Sequence, residues 1–209
     1  MGASRKSKVE IKWSPEFAYA LGLIASDGNL SPDGRHIEIT SKDIAQLITF
    51  RNSLKIQNRI GYKTSGFAET KIARLQFGDV NFYSFLLGIG LTPNKSKNLG
   101  KLNILEKFFP DFLRGCIDGD GSIDTFRHPE SKHPQFRIRI CSASPKFLSW
   151  LKRAIKSNVG TKGGWISRGQ RAYFLSYGKD DAIRISKLIY YNKSLPFLKR
   201  KYLVARHFI

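Results

Sequence analysis

The sequence predicts an α+β fold with two pseudo-symmetric αββαββα units, each carrying a four-stranded antiparallel sheet. Three observations support this prediction: a nine-residue motif occurs twice, the same order of strand and helix periodicity follows each copy, and each series leads to an Asn-Lys-Ser triplet. We therefore divide the chain into a basic N-terminal arm (residues 1–9), a first unit (10–98) and a second unit (99–209).

A helix that ends in the repeated motif opens each unit. The motif reads ALGLIASDG at residues 20–28 and LRGCIDGDG at residues 113–121, and an aromatic, apolar run with one proline precedes each copy. Apolar periodicity predicts the two helices over about 14–27 and about 106–119.

Small residues four positions apart share one face of each motif helix. They are Gly22 and Ser26 in the first helix, and Gly115 and Gly119 in the second. Such faces let two helix backbones approach closely. We therefore expect the motif helices to pack side by side at the interface of the two units, across a pseudo-two-fold axis.

Two β-hairpins and further helices follow in each unit. Ser41 and Ser144 are expected to cap the second helix of their unit, and hairpin turns are expected near Ser65-Gly66 and residues 168–170. The remaining helices are predicted at about 42–54, 80–89, 144–156 and 180–190, and in the C-terminal segment LPFLKRKYLVARHFI.

The chain carries 36 Lys and Arg against 16 Asp and Glu, a formal net charge of +20, yet 41% of its residues are hydrophobic. The hydrophobic content excludes a disordered polycation, and the charge favours a nucleic-acid partner. We expect one face of each sheet to pack on helices and the other, basic face to contact nucleic acid, the alternative being charges that only solvate that face. The residues assigned to this contact are Arg35, Glu38, Arg59, Lys63, Lys71, Arg74, Gln76, Arg137, Arg139, Lys162, Arg168, Arg171 and Tyr173.

Cysteine usage and apolar runs indicate the cellular context. Cys116 and Cys141 form no C-x-x-C pair, so no disulfide framework is predicted and a reducing, intracellular compartment is expected, either a prokaryotic cytoplasm or an organelle. The apolar runs are shorter than a membrane span, and no apolar region follows the basic N-terminus. The sequence therefore predicts neither membrane insertion nor a secretory signal.

Asp27 and Asp120 stand at the predicted C-terminal ends of the motif helices. A carboxylate there meets the negative end of the helix dipole, and two carboxylates brought together repel each other. A divalent cation relieves both effects, and Mg²⁺ suits carboxylate, water and phosphate oxygens. Two acids that face the two antiparallel strands of a nucleic-acid duplex would supply one site for each of those strands. Gly28 and Gly121 are expected to take positive φ after each helix, and a plain Asp-Gly turn without a metal is the alternative.

The two motifs resemble those of the LAGLIDADG homing endonucleases, in the single-chain form that carries two copies. The resemblance covers nearly the whole chain from Pro15 onward, with the two acids 93 residues apart (120 minus 27). It implies a monomer whose two sheets form a saddle over the major groove and which cuts both strands of a long DNA target. It also implies Mg²⁺ as the cofactor, with Mn²⁺ able to replace it and Ca²⁺ supporting binding without cleavage.

The resemblance assigns roles to individual residues. Asp27 and Asp120 occupy the eighth letter of the motif, which is the metal-binding acid, and Ser26 and Gly119 before them join the metal site. The further candidate catalytic residues are Ser41, Lys42, Lys95, Lys97, Ser142 and Lys201. The second copy departs from the family by lacking a lysine after its serine. Each candidate lysine would orient water or offset developing charge, or it would only tether a phosphate.

The two halves are unequal in length. The first hairpin of the second unit is about eight residues longer than that of the first (Asp120 to Ser142 against Asp27 to Ser41), and its tip carries two histidines, which we assign to a loop and not to a metal site. Such an asymmetric surface favours a non-palindromic DNA target.

Two other functions use the same scaffold. A maturase would hold intron RNA with cleavage reduced or lost, and its sequence signature would be replacement of the motif acids; both acids are present here, which does not exclude it. A transcription regulator would need an added helix-turn-helix segment, for which no chain remains after Ile209.

Overall fold

The computed structural model describes residues 7–65, 68–127, 129–130 and 133–209. Most of the predicted N-terminal arm, the predicted turn at Gly66 and the histidine at position 128 lie outside the described residues. Within the described part, the chain forms two four-stranded antiparallel sheets and seven α-helices, so the predicted α+β fold is confirmed.

The elements follow the predicted order in both halves of the chain. The first half contains α1 (Pro15–Ser26), β1 (Gly28–Leu30), β2 (His36–Ser41), α2 (Ile44–Ser53), β3 (Ile60–Ser65), β4 (Ala68–Gly78) and α3 (Val80–Gly88). The second half contains α4 (Phe109–Asp120), β5 (Gly121–Phe126), β6 (Gln135–Ser142), α5 (Pro145–Val159), β7 (Trp165–Arg168), β8 (Tyr173–Tyr177), α6 (Lys179–Ile189) and α7 (Lys199–Ala205). The strand orders β1-β2-β4-β3 and β5-β6-β8-β7 are the same, which is the pseudo-symmetry that the sequence repeat predicts. The division at residues 98 and 99 stays a prediction.

Capping side chains fix where the helices begin. Ser144 caps α5 as predicted, accepting a hydrogen bond from the backbone N–H of Phe147. The prediction that Ser41 caps α2 is wrong, because Asp43 takes that place and accepts from the backbone N–H of Ala45. Ser41 remains in its strand and accepts from the backbone N–H of Asp43.

The second motif helix starts later than its periodicity predicts. Residues 106–108 form a single 3₁₀ turn, and the α-helix begins at Phe109. Pro110 sets this start, since proline has no N–H to donate and is tolerated only in the first turn of a helix.

One face of each sheet packs on helices, as the alternation of its strands requires. Ile37 and Ile39 on β2 and Ile138 and Ile140 on β6 are at most 1% exposed, whereas their neighbours along each strand are half-buried. The buried residues of both halves join in one continuous hydrophobic core. Within the described part of the chain, no helix is long and apolar enough to cross a membrane.

The motif helices α1 and α4 pack against each other through their glycines, as predicted. A Cβ on Gly22 would lie 2.2 Å from the carbonyl oxygen of Phe112, and a Cβ on Gly115 would lie 2.2 Å from the carbonyl oxygen of Tyr19. These obstacles are backbone atoms that cannot rotate away. The expected small-residue interface is therefore confirmed, and it brings the C-terminal ends of the two helices together.

The expectation of positive φ at Gly28 and Gly121 is wrong. Neither is among the residues with positive φ, and Gly121 has an extended backbone with φ −98°. A Cβ at these positions would instead lie within 2.7 Å of the backbone of Ile24 and Ile117, one turn back. Close packing of each new strand over its own helix thus requires glycine here.

Candidate metal centre and nucleic-acid interface

The carboxylates of Asp27 and Asp120 converge at the paired helix ends. Asp27 is the C-cap of α1 and Asp120 is the last residue of α4, so the glycine interface between the helices determines their separation. The two side chains lie within hydrogen-bonding reach of each other. Gln46 on α2 completes the group, because its Nε2 donates to Asp27 Oδ2 at 2.8 Å.

Burial raises the pKa of both acids. The pKa of Asp27 rises to about 6, first through burial and then through repulsion from Asp120, and the hydrogen bond from Gln46 opposes the rise. Burial likewise raises the pKa of Asp120, against the nearby positive charges of Lys95 and Lys201. Without a cation, the pair is therefore a destabilising feature near neutral pH.

This arrangement predicts a pH dependence of stability in the metal-free protein. Between pH 3.8 and about 6 the folded Asp27 holds a proton that the unfolded chain has released, so the free energy of unfolding falls as the pH rises through this window. In EDTA, wild-type protein should lose on the order of 2 kcal/mol relative to Asp27→Asn between pH 4.5 and pH 7. Urea unfolding at both pH values measures the difference, and a difference that does not change with pH would contradict the prediction.

Two buried lysines reach the ends of the motif helices. Lys201 Nζ donates to three backbone carbonyls at the end of α4, at 2.5 to 2.9 Å. Lys95 Nζ lies 3.4 Å from the carbonyl oxygen of Ser26 at the end of α1. Burial lowers the pKa of Lys201 to about 8 and also lowers that of Lys95. Each lysine places a donor where the helix dipole is negative and beside the acids.

Helix α4 holds the segment that delivers Lys201. Asp118 is fully buried, and its Oδ2 accepts hydrogen bonds from the backbone N–H of Leu198 and the hydroxyl of Tyr19. Arg114 donates to the carbonyl oxygen of Pro196 in the same segment. The sixth motif letter of the second copy therefore acts as a structural anchor, in line with its omission from the predicted catalytic set.

The remaining candidate catalytic residues are Ser41, Ser142, Lys42 and Lys97. The Ser41 hydroxyl donates to Gln46 Oε1 at 2.7 Å and so reaches Asp27 through that amide. Ser142 accepts from the backbone N–H of Ser144. Lys42 and Lys97 are exposed. Their catalytic roles stay predictions.

Gln46 is the site residue that sequence reasoning missed. It stands three residues after Asp43, the spacing of a capping box, which would direct its side chain back to the start of its own helix. The amide instead crosses to Asp27 and lies 3.5 Å from the carbonyl oxygen of Asp118. At the matching position the second half has Phe147, so the two acids differ in their surroundings.

The donor set fits a hard divalent cation. Two carboxylates converge with raised pKa values, and a cation between them would remove their mutual repulsion. Among the described residues no group of three or more His, Cys, Asp or Glu could hold a metal. A site with two acids suits Mg²⁺, which commonly uses one or two carboxylates and takes its other ligands from water and phosphate.

The open face of the first sheet carries Glu38 between two cations. Glu38 Oε1 accepts from Lys63 Nζ at 2.5 Å, and Glu38 Oε2 lies 3.4 Å from Arg74 Nη1. Gln76 pairs with Glu38 across the strands and therefore shares this face. Arg35 and the residue before β3, Arg59, are exposed at its margins.

The open face of the second sheet has a similar arrangement around Asp124. Arg137 and Arg139 on β6 lie 3.7 and 3.5 Å from Asp124 Oδ2. Lys162 precedes β7, and Arg171 lies in the turn between β7 and β8, where the predicted turn is confirmed by the hydrogen bond from Gly169 to Ala172.

Three of the residues predicted to contact nucleic acid lie on the helix side of their sheets and not on the open face: Lys71, Arg168 and Tyr173. Lys71 has the same parity on β4 as the buried Ala73, and Arg168 pairs with Tyr173 on the side that packs on helices. Tyr173 is partly buried against the core. These three lie at the far ends of their strands, away from the Glu38 and Asp124 faces.

The position of Glu38 between Lys63 and Arg74 leads to a prediction about DNA binding. In Glu38→Gln, Lys63 and Arg74 lose their internal counter-charge and become available to phosphates, so non-specific duplex affinity should rise severalfold. The slope of log affinity against log salt should steepen by about one. Glu106→Gln removes the same charge at an exposed site before α4 and is the matched control. Equal slopes for the two variants, measured by fluorescence anisotropy, would contradict the prediction.

Comparison with known proteins supports the fold. No protein-family model matches the sequence, and no curated protein does. Among solved structures, full-length DUF199/WhiA from Thermatoga maritima matches at 15% identity and TM-score 0.60, over 96% of this chain and 62% of that one. The homing endonuclease I-WcaI, bound to its DNA recognition sequence, matches at 10% identity and TM-score 0.62, over 92% and 88%.

A third structure also carries ligands. I-DmoI in complex with DNA and Ca matches at 18% identity and TM-score 0.59, over 92% of this chain and 98% of that one. Sequence identities this low are evidence for a shared fold only. The same architecture occurs both in DUF199/WhiA and in homing endonucleases. The chain has the two-unit LAGLIDADG fold.

Proposed function

We propose that the protein is a site-specific endonuclease that makes metal-dependent double-strand breaks in DNA at a long, non-palindromic target. The observation that carries this proposal is the convergence of Asp27 and Asp120 at the ends of two pseudo-symmetric helices. Each helix leads directly into a sheet whose open face is basic. One chain supplies both acids and both faces, which supports action as a monomer, and a DNA target would place it inside a cell.

The cofactor that fits is Mg²⁺, with Mn²⁺ as a substitute and Ca²⁺ supporting binding without cleavage. When bound, it would lower the pKa of a water molecule and stabilise the leaving oxygen of the cut strand. Asp27 and Asp120 would hold it together with DNA phosphates. Gln46 keeps Asp27 oriented by its 2.8 Å hydrogen bond, and the buried Lys95 and Lys201 place positive charge beside the acids.

Selection from a randomised duplex pool tests this proposal. The full chain is incubated with the pool in Mg²⁺ to recover cleaved ends, and in Ca²⁺ to recover bound duplexes. The proposal expects one enriched, asymmetric sequence in both arms, with both strands cut in Mg²⁺. Enrichment in Ca²⁺ without cleavage in Mg²⁺ or Mn²⁺ would overturn the nuclease assignment and favour a non-cleaving binding protein.

A further inference from the structure

The open faces of the two sheets differ in aromatic content. On the first sheet, the described side chains that share the face of Glu38 include no Phe, Tyr or Trp. Tyr62 is 60% exposed, but it pairs with Ala73 and so points to the helix side. On the second sheet, three aromatic side chains lie on the open face that carries Arg139: Trp165 pairs with Ser176, the partner of Arg139, Phe174 pairs with Cys141, and Phe126 pairs with Gln135. Phe126 stands at the end of β5, under Arg137.

Trp165 and Phe174 are neighbours on this face. Trp165 pairs with Ser176, and Phe174 pairs with Ser167, so the rings occupy diagonal positions on β7 and β8. Arg139 lies over the Phe174 ring at 5.9 Å from its centroid. Trp165 is 52% exposed, which leaves a large apolar surface in water on the face that we assign to DNA.

A DNA duplex offers few apolar groups to such a surface. The flat faces of the bases are stacked and covered, and the groove edges carry mostly hydrogen-bonding atoms. The methyl group of thymine is the apolar group that projects into the major groove. A tryptophan and a phenylalanine in the groove would therefore gain most from positions where thymine occurs.

We propose that Trp165 and Phe174 are specificity-determining residues that contact thymine methyl groups in the half of the target under the second sheet. The first sheet, whose open face carries the Lys63–Glu38–Arg74 group and, among the described side chains, no aromatic one, reads its half mainly by polar contacts. This inference rests on the proposed function as a duplex-binding protein. It adds that the two halves of the target differ in their dependence on thymine methyls.

Uracil tests the inference because it pairs like thymine but lacks the methyl group. Two randomised duplex pools, one made with thymine and one with uracil, are selected in Ca²⁺ with wild-type protein, with Trp165→Ala and with Trp165→Ala/Phe174→Ala. In the thymine pool, wild-type protein should enrich thymine at one or more positions on one side of the target. Replacing those thymines by uracil in the selected duplex should weaken binding about fourfold per methyl.

Trp165→Ala should lose the thymine preference and the sensitivity to uracil at one or more of these positions, and Trp165→Ala/Phe174→Ala should lose both at all of them. Tyr62→Ala removes an exposed aromatic from the matching edge strand, but on the helix side, and should keep both. Wild-type protein that binds the uracil and thymine duplexes equally would overturn the inference, as would a Trp165→Ala/Phe174→Ala protein that keeps the preference.

The outcomes also separate this inference from the proposed function. A pool without any enriched sequence would overturn both. An enriched sequence whose binding does not depend on the methyl groups would overturn the inference alone. If Trp165→Ala lost affinity for single-stranded oligonucleotides and not for the duplex, the aromatic pair would belong to unstacked bases, and the inference would be wrong.

Discussion

Replacing Asp27 or Asp120 by Asn is expected to reduce double-strand cleavage by a factor on the order of a hundred or more, while DNA affinity in Ca²⁺ changes little. Asparagine keeps the shape of the side chain but removes the charge that would hold the cation. Each acid belongs to one helix end and, in the proposed function, would act on one strand of the target. A single variant should therefore lose double-strand breaks even where one strand is still nicked.

Cleavage of a plasmid that carries the selected target separates these products, since nicked and linear forms migrate differently on a gel. Asp180→Asn is the matched control, because Asp180 is exposed in the first turn of α6. Its plasmid should be linearised at the wild-type rate. If Asp27→Asn or Asp120→Asn linearised the plasmid at that same rate, the assignment of the corresponding acid would be wrong.

Replacing Gly22 or Gly115 by Ala is expected to give the largest change in stability. An alanine in a helix is normally favourable by about 1 kcal/mol relative to glycine. At these positions the new Cβ would lie 2.2 Å from a backbone carbonyl of the opposite helix, so α1 and α4 must move apart. The overlap should outweigh the propensity and lower the free energy of unfolding by about 3 kcal/mol.

Gly88→Ala provides a control with the opposite sign. Gly88 is the last residue of α3, and nothing lies within 4 Å of the Cβ that alanine would add there. This variant should be as stable as the wild type or up to about 1 kcal/mol more stable in urea unfolding. Gly115→Ala protein with wild-type stability would show that the motif helices do not pack through their glycines.

The fold and the two central acids could be predicted because the motif, and the pattern of strands and helices that follows it, each occur twice in the sequence. One Asp-Gly pair is compatible with an ordinary turn. Two such pairs on matching helices with small residues at the same spacing indicate a shared interface, and Asp27 and Asp120 follow from it. The strands were equally predictable, since alternation on β2 and β6 depends only on burial of one face.

Contacts that depend on the approach of separate elements could not be predicted. Gln46 reaches Asp27 because α2 packs across the end of α1, and its local spacing favoured a capping role. The repeat alone would match Lys95 with the exposed Lys193 in the second Asn-Lys-Ser triplet, whereas the resemblance indicated Lys201, and it is Lys201 on α7 that lies at the end of α4. The lysines at the two helix ends thus come from segments that do not correspond in the sequence repeat.

The reason why glycine is needed at Gly28 and Gly121 could not be predicted either, because it too depends on how separate elements pack. Sequence shows that a glycine follows each helix but not whether φ or the space for a Cβ demands it. That distinction needs the path of the strand over the preceding turn, which only the folded chain provides.

Binding of Mn²⁺ tests most directly whether the two acids form one metal centre. The complex of the full chain with a selected duplex is titrated with Mn²⁺, and free ion is followed by electron paramagnetic resonance, beside the complex of the Asp27→Asn/Asp120→Asn variant. We expect wild-type protein to hold Mn²⁺ more tightly than the variant, whose complex should bind no more than the duplex alone. Equal Mn²⁺ affinity in the two complexes would contradict a metal centre at the joined helix ends.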